Sequence, residues 1–147
     1  MNPEMKYSRR GLALTERFEG CRLEAYLDVV GVPTIGYGHT RGVHIGMMCT
    51  QQQAQSWLEE DTQGAQDAVN RLVMVDLAQP EFDALVDFVF NLGAGAFEHS
   101  TLLKLLNAKA YQSAAEQFDR WAYAGGHIVA GLLRRRHAEE VEFLNRG

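Results

Sequence analysis

The chain has 147 residues, with 14 lysines and arginines against 19 aspartates and glutamates, for a formal net charge of −5. Its 46% hydrophobic and 22% charged residues are the composition of a globular domain, which excludes disordered and fibrous classes. The acidic balance excludes a general nucleic-acid binder, whose phosphate contacts need a basic footprint, and argues against loose adhesion to any polyanion.

The polar, basic start MNPEMKYSRRG has no apolar stretch behind it, and no run approaches the length of a membrane span. The expectation is a protein that stays in the cytoplasm unless something releases it. From about Ser8 to Glu19, Leu14 and Phe18 stand at i, i+4 with Leu12 near the same face, predicting a short helix closed by Gly20. Leu23, Ala25, Leu27 and Val29 alternate with Arg22, Glu24, Tyr26 and Asp28, the period of a half-buried strand. Val30-Gly31-Val32-Pro33 reads as a turn, and Thr34-Ile35-Gly36-Tyr37-Gly38 as the second strand of a small antiparallel sheet.

Thr50 and Gln53 have capping-box spacing. Beyond them Ala54, Trp57, Leu58, Ala65, Ala68 and Leu72 keep helical spacing, with Asp61 as a polar intruder. This predicts one long helix over about 51–72, connecting an N-terminal lobe (about 1–50) to a C-terminal lobe (about 73–147). Pro80 suits a helix start, and the run from Phe82 to Leu92 is apolar nearly all round, as in a helix buried on every side. Further helices are predicted over about Leu102 to Leu106 behind a Ser100-Thr101 cap, Tyr111 to Trp121, and Leu132 to Asn145, with a break at Gly125-Gly126. The fold class is α+β, mostly helical: a small lobe with a β-hairpin, a connecting helix and an all-helical lobe. The cleft between lobes is the expected ligand site.

Three polar residues cluster at the hairpin. Glu19 closes the first helix, where the macrodipole disfavours negative charge and suits a proton donor. Asp28 ends the first strand, and Thr34 opens the second just past the turn; both are expected at exposed positions. Two carboxyls in unlike environments are the pattern of glycoside hydrolysis, with a hydroxyl to hold the water. By spacing alone, the same residues also read as a solvated helix end and ordinary turn residues.

The residues themselves say more. Phe18-Glu19-Gly20-Cys21-Arg22-Leu23-Glu24-Ala25-Tyr26, Asp28, and Gly31-Val32-Pro33-Thr34-Ile35-Gly36-Tyr37-Gly38-His39-Thr40 resemble the active-site region of bacteriophage-type lysozymes, the endolysins of glycoside hydrolase family 24. That family's pattern of Glu, eight residues, Asp, five residues, Thr is met without insertion or deletion. Phe90-Asn91-Leu92-Gly93, Phe97, Ser100-Thr101-Leu102, Trp121 and Gly131-Leu132-Leu133-Arg134-Arg135-Arg136 resemble its C-terminal lobe. The resemblance implies a lysozyme-like fold and a muramidase acting on the peptidoglycan glycan strand, with Glu19 as general acid, Asp28 as partner carboxylate and Thr34 as the water-positioning hydroxyl. It implies glycan contacts from Thr40, Phe90 and Ser100, while a fourth contact, usually a polar amide, stands here as Ala115. It further implies no cofactor, no stable membrane insertion, a monomer, and release from the host cytoplasm to the wall through a holin.

Other features invite weaker readings. His39, His44 and Cys49 suggest zinc, and so a zinc amidase as a rival; their spacing fits no closed structural site. A non-catalytic wall-binding protein is the second rival. Gly36-Tyr37-Gly38 fails as a phosphate loop, since Arg41 stands where a third glycine belongs. Arg134-Arg135-Arg136 reads as a solvated helix face, or as the source of one arginine for Glu19. His137, Trp57 and Trp121 read as core residues, and Cys21 and Cys49 as two buried thiols. The net charge divides unevenly: +1 over residues 1–49, −8 over 50–100 and +2 over 101–147. The acidity therefore lies away from the Glu19/Asp28/Thr34 segment.

Overall fold

The computed structural model describes residues 4–145. Met1, Asn2 and Pro3 of the polar N-terminal segment, and the expected domain bounds at 1 and 147, lie outside the described residues. Leu12–Gln63 forms one compact unit, and the residues before and after it form a second.

The first unit holds most of α1 (Arg9–Glu19), the strands β1 (Arg22–Leu27) and β2 (Pro33–Gly36), and α2 (Gln51–Asp61). The strands pair antiparallel, with Tyr26 opposite Thr34 and Leu27 opposite Pro33, and with an irregularity between Arg22 and Tyr26. The side chains of α2 close over β2: a Cβ added at Gly36 would lie 3.2 Å from the Ala54 Cβ. Ile35, Ala54 and Leu58 are buried there. The capping box is made, with the Thr50 Oγ1 accepting from the Gln53 amide and the Gln53 Oε1 accepting from the Thr50 amide.

The half-buried apolar face expected of the first strand is not found. Leu23 and Leu27 are 42% and 56% exposed, and Val29 beyond them is fully exposed. Alternation marked the strand correctly, but packing rather than period decides whether an apolar face is covered. The helix expected over 51–72 is two helices, α2 and α3 (Gln63–Leu72), interrupted at Thr62. The Thr62 hydroxyl donates to the Glu59 carbonyl, a local bond that competes with continuation of the helix.

The second unit is built from α3, α4 (Gln79–Leu92), α5 (Ala94–Glu98), α6 (Thr101–Asn107), α7 (Tyr111–Ala115) and α8 (Ala130–Phe143). A 3-10 turn (Phe118–Trp121) follows α7 where a continuous helix was expected. The lobe expected as all-helical also carries a hairpin, β3 (Tyr123–Ala124) with β4 (His127–Ile128), and Gly125-Gly126 form its tip. Phe88 organises the core, with the rings of Phe97, Phe118 and Trp121 edge-on at 6.2, 5.6 and 5.6 Å.

As the apolar run predicts, α4 is buried from Glu81 to Val89. It also buries three acids, of which Glu81 accepts from the Ala78 amide at the helix start. Asp83 accepts from the Ser8 amide and hydroxyl and from Gln79. Asp87 receives both the Nε and the Nη2 of Arg135, each at 2.9 Å. The solvated arginine face is thereby corrected: Arg135 and Arg136 are 6% and 0% exposed. Arg136 donates to Asn91 and Glu139 and lies over the Phe88 ring. Its neighbour His137, expected in the core, is exposed.

Candidate active site

Glu19 is the last residue of α1. Gly20 turns the chain away at φ +69°, a left-handed conformation that suits glycine, and its amide still reaches the Glu16 carbonyl. The Glu19 carboxyl comes to rest against the turn after β2, where a Cβ built on Gly38 would stand 3.1 Å from the Glu19 Oε1.

Asp28 follows β1 directly and holds the hairpin turn. Its Oδ1 accepts the amides of Val30 at 2.9 Å and Val32 at 2.8 Å. Among the described residues its Oδ2 takes no hydrogen bond. Thr34 stands in β2 with its Oγ1 donating to the Val32 carbonyl at 2.8 Å. Asp28 and Thr34 are thus tied to opposite ends of one residue: Val32 gives its N–H to the carboxylate and its C=O to the hydroxyl. With its proton committed there, the Thr34 hydroxyl keeps only acceptor capacity. Thr34 is only 4% exposed, which corrects the exposed position expected for it. Asp28 is half-buried.

Three further features frame the hairpin, none of them expected from the sequence. The Arg22 guanidinium lies 4.3 Å from the Tyr26 ring centroid. The His39 Nδ1 meets the Asp61 carboxylate at 2.8 Å, and its ring stacks on Trp57 at 4.5 Å. This pairing explains the polar intruder in α2 and leaves Trp57 half-buried against the histidine. Gln51 donates to the Tyr37 hydroxyl at 2.6 Å, and burial raises both that phenol and the neighbouring Cys21 thiol. Cys21 and Cys49 are free and half-buried rather than buried. Among the described residues, His39, His44 and Cys49 do not assemble as ligands, and the His39 Nδ1 is already taken by Asp61.

The residues expected to touch glycan differ in character. Thr40 is exposed in the loop after β2. Phe90 is half-buried in the last turn of α4 and packs on the core of its unit. Ser100 is 2% exposed and is used twice as the N-cap of α6, accepting from the Leu103 amide and donating to the Phe97 carbonyl. Ala115 is fully buried among core residues. Signals for Gly38 and Val32 were absent from the spacing pattern, because both act through backbone.

The hairpin ties Asp28 and Thr34 to the two ends of one residue, with the Glu19 carboxyl against the following turn. Comparison with known proteins supplies the class, a hydrolase of the lysozyme type. The Phage lysozyme family matches residues 16–139. The endolysin of Salmonella phage P22 is 43% identical over 96% of this chain and 99% of its own length. A solved mutant of P22 lysozyme superposes with a TM-score of 0.90 at 43% identity, covering 96% of this chain and 99% of that one. The muramidase domain of SpmX from Asticaccaulis excentricus gives 0.89 at 39% identity, covering 95% and 98%. The endolysin of Bacillus phage B103 is 42% identical over 95% of this chain, which spans only 54% of that relative's length. The chain belongs to the phage lysozyme family. Among its described residues no helix is long and apolar enough to cross a membrane.

Proposed function

We propose that this chain is an endolysin: an N-acetylmuramidase that hydrolyses the β-1,4 bond between N-acetylmuramic acid and N-acetylglucosamine in peptidoglycan and lyses a bacterial host. Glu19 donates its proton to the glycosidic oxygen as the bond breaks. Asp28, through the oxygen not spent on the turn, and Thr34, as an acceptor, hold the water whose oxygen ends on the anomeric carbon; Asp28 takes the proton that this water gives up. The observation that carries this reading is the shared anchor on Val32, which gives two polar groups one fixed relation without using up either. Thr40 and Phe90 are the side chains best suited to touch the glycan in this proposal. Ser100 contributes through the turn it caps. Passage to the wall through a holin, and action as a monomer, belong to the same proposal.

The test is clearing of purified peptidoglycan with product analysis. Wild type should release new reducing ends, and Glu19→Gln should lose at least about 10²-fold in rate while keeping its circular dichroism spectrum. Clearing by Glu19→Gln at the wild-type rate would sink the mechanism. Release of free amines without reducing ends would mark an amidase instead. Induction in a bacterial host should lyse cells only when a holin is co-expressed.

A further inference from the structure

A second constellation of polar side chains lies in the helical unit, remote in sequence from the hairpin. Asp119 on the 3-10 turn and His137 and Glu140 on α8 each bring one donor atom to within 4.8 Å of the others. His137 and Glu140 are three residues apart on one helix, so their side chains leave it on the same face. Asp119 arrives from a turn that packs on α8, with Phe118 edge-on to Phe143 at 5.6 Å. Packing of apolar neighbours thus fixes the three donors together.

This arrangement is electrostatically incomplete. The Asp119 Oδ1 is shut off from solvent and has no hydrogen-bond partner. A buried carboxylate oxygen without a donor is costly and calls for a proton or a cation. The Glu140 carboxyl stands beside it in the same cluster, with the His137 imidazole as the third donor. The donor set also discriminates. One imidazole with two carboxylates suits zinc and its borderline relatives, whereas magnesium and calcium want oxygen ligands in larger number. Donors around a tetrahedral zinc stand about 3.4 Å apart, which small side-chain rotations reach from the observed spacing.

We propose that Asp119, His137 and Glu140 form a site for one divalent transition-metal ion of the zinc class, with water completing the coordination. The ion clips the 3-10 turn, and with it the entry to the β3–β4 hairpin, onto α8. It takes no part in the hydrolysis proposed above, and the proposal stands or falls independently of that reaction.

The experiment uses the full chain, stripped with chelator and titrated calorimetrically with zinc, cobalt(II) and magnesium chlorides. One zinc per chain should bind with micromolar affinity, with no saturable heat from magnesium. Cobalt should give the strong visible absorption of a four-coordinate ion. His137→Ala, at an exposed position that leaves folding intact, should weaken zinc at least about tenfold, and Glu140→Gln should do the same. Zinc should raise the melting temperature of the parent and not of His137→Ala. The proposal is overturned by the absence of saturable zinc uptake, which would assign Asp119 and Glu140 a shared proton. Uptake that His137→Ala leaves unchanged also overturns it, because the ion would then sit at another histidine.

Discussion

In the helical unit Asp87 is held at both oxygens by Arg135, and Glu139 lies fully buried against Arg136. In the hairpin unit Asp28 spends one oxygen on backbone amides and keeps the other clear of the protein's hydrogen bonds. Both units contain acids close to the chain's core elements, yet they handle them differently. Where side chain neutralises side chain, as between α4 and α8, the groups are consumed by the fold. Where the backbone positions a carboxylate by one oxygen, the other keeps its acceptor capacity. Burial or pairing alone would not separate a structural acid from a reactive one; in the reading proposed for Asp28, the difference lies in how many of its acceptor sites the fold has used.

The comparison can be broken most forcefully in the helical unit. Arg136→Ala should strip the buried Glu139 of its partner and destabilise the protein by about 3–5 kcal/mol, read as a lowered midpoint in urea unfolding. The paired change of Arg136 to Met with Glu139 to Leu should recover most of that loss; failure to recover would show that the network does more than satisfy itself. Next in size, Asp28→Asn keeps an oxygen for the Val30 and Val32 amides but loses the charge. It should cut peptidoglycan hydrolysis by about 10²-fold with little change in melting temperature. A parallel loss of stability would place Asp28 with the structural acids. Smaller again, Ser100→Ala removes the cap of α6 and should cost about 1 kcal/mol. If the loss appears only in KM, the hydroxyl belongs to the glycan site instead.

The smallest effect is a slope. Burial pushes the Asp83 carboxyl above its ordinary value of 3.8, against the lowering influence of Ser8 and Gln79. Such a group holds its proton more tightly folded than unfolded. Its contribution to stability is therefore complete below about 3.8 and is lost as pH rises through the folded value. Asp83→Asn should flatten that part of the melting temperature profile, and an unchanged slope would assign it to another acid.

Much of this was legible in the residues. Gly20, the Thr50/Gln53 box, Pro80 and Ser100 mark element ends by local chemistry, and each stands where expected. The alternation from Arg22 and the turn at Val30-Gly31-Val32-Pro33 also located the hairpin. What escaped depends on partners distant in sequence or on backbone. The burial of Arg135 rests on Asp87, 48 positions away, so the arginine run looked like any solvated face. The interruption at Thr62 carries a hydroxyl-to-carbonyl bond that no spacing pattern announces. The β3–β4 hairpin has two residues in each strand, too few for a period to register. The common anchor on Val32 uses only its peptide groups, which any residue but proline supplies.

The contact between Gly38 and Glu19 reaches beyond catalysis into how this enzyme can be made more heat-resistant. Replacing glycine by alanine is a standard way to stiffen an unfolded chain, and it works where the folded backbone tolerates a side chain. Gly64 and Gly95 lie in helices with open space around an added methyl, so both positions admit it. Gly36 and Gly38 do not: each has a positive φ, and the methyl would crowd the Ala54 side chain in one case and the Glu19 carboxyl in the other. A thermostability library should therefore vary the helical glycines and leave this turn untouched, because at position 38 a search for rigidity would act directly on the Glu19 carboxyl.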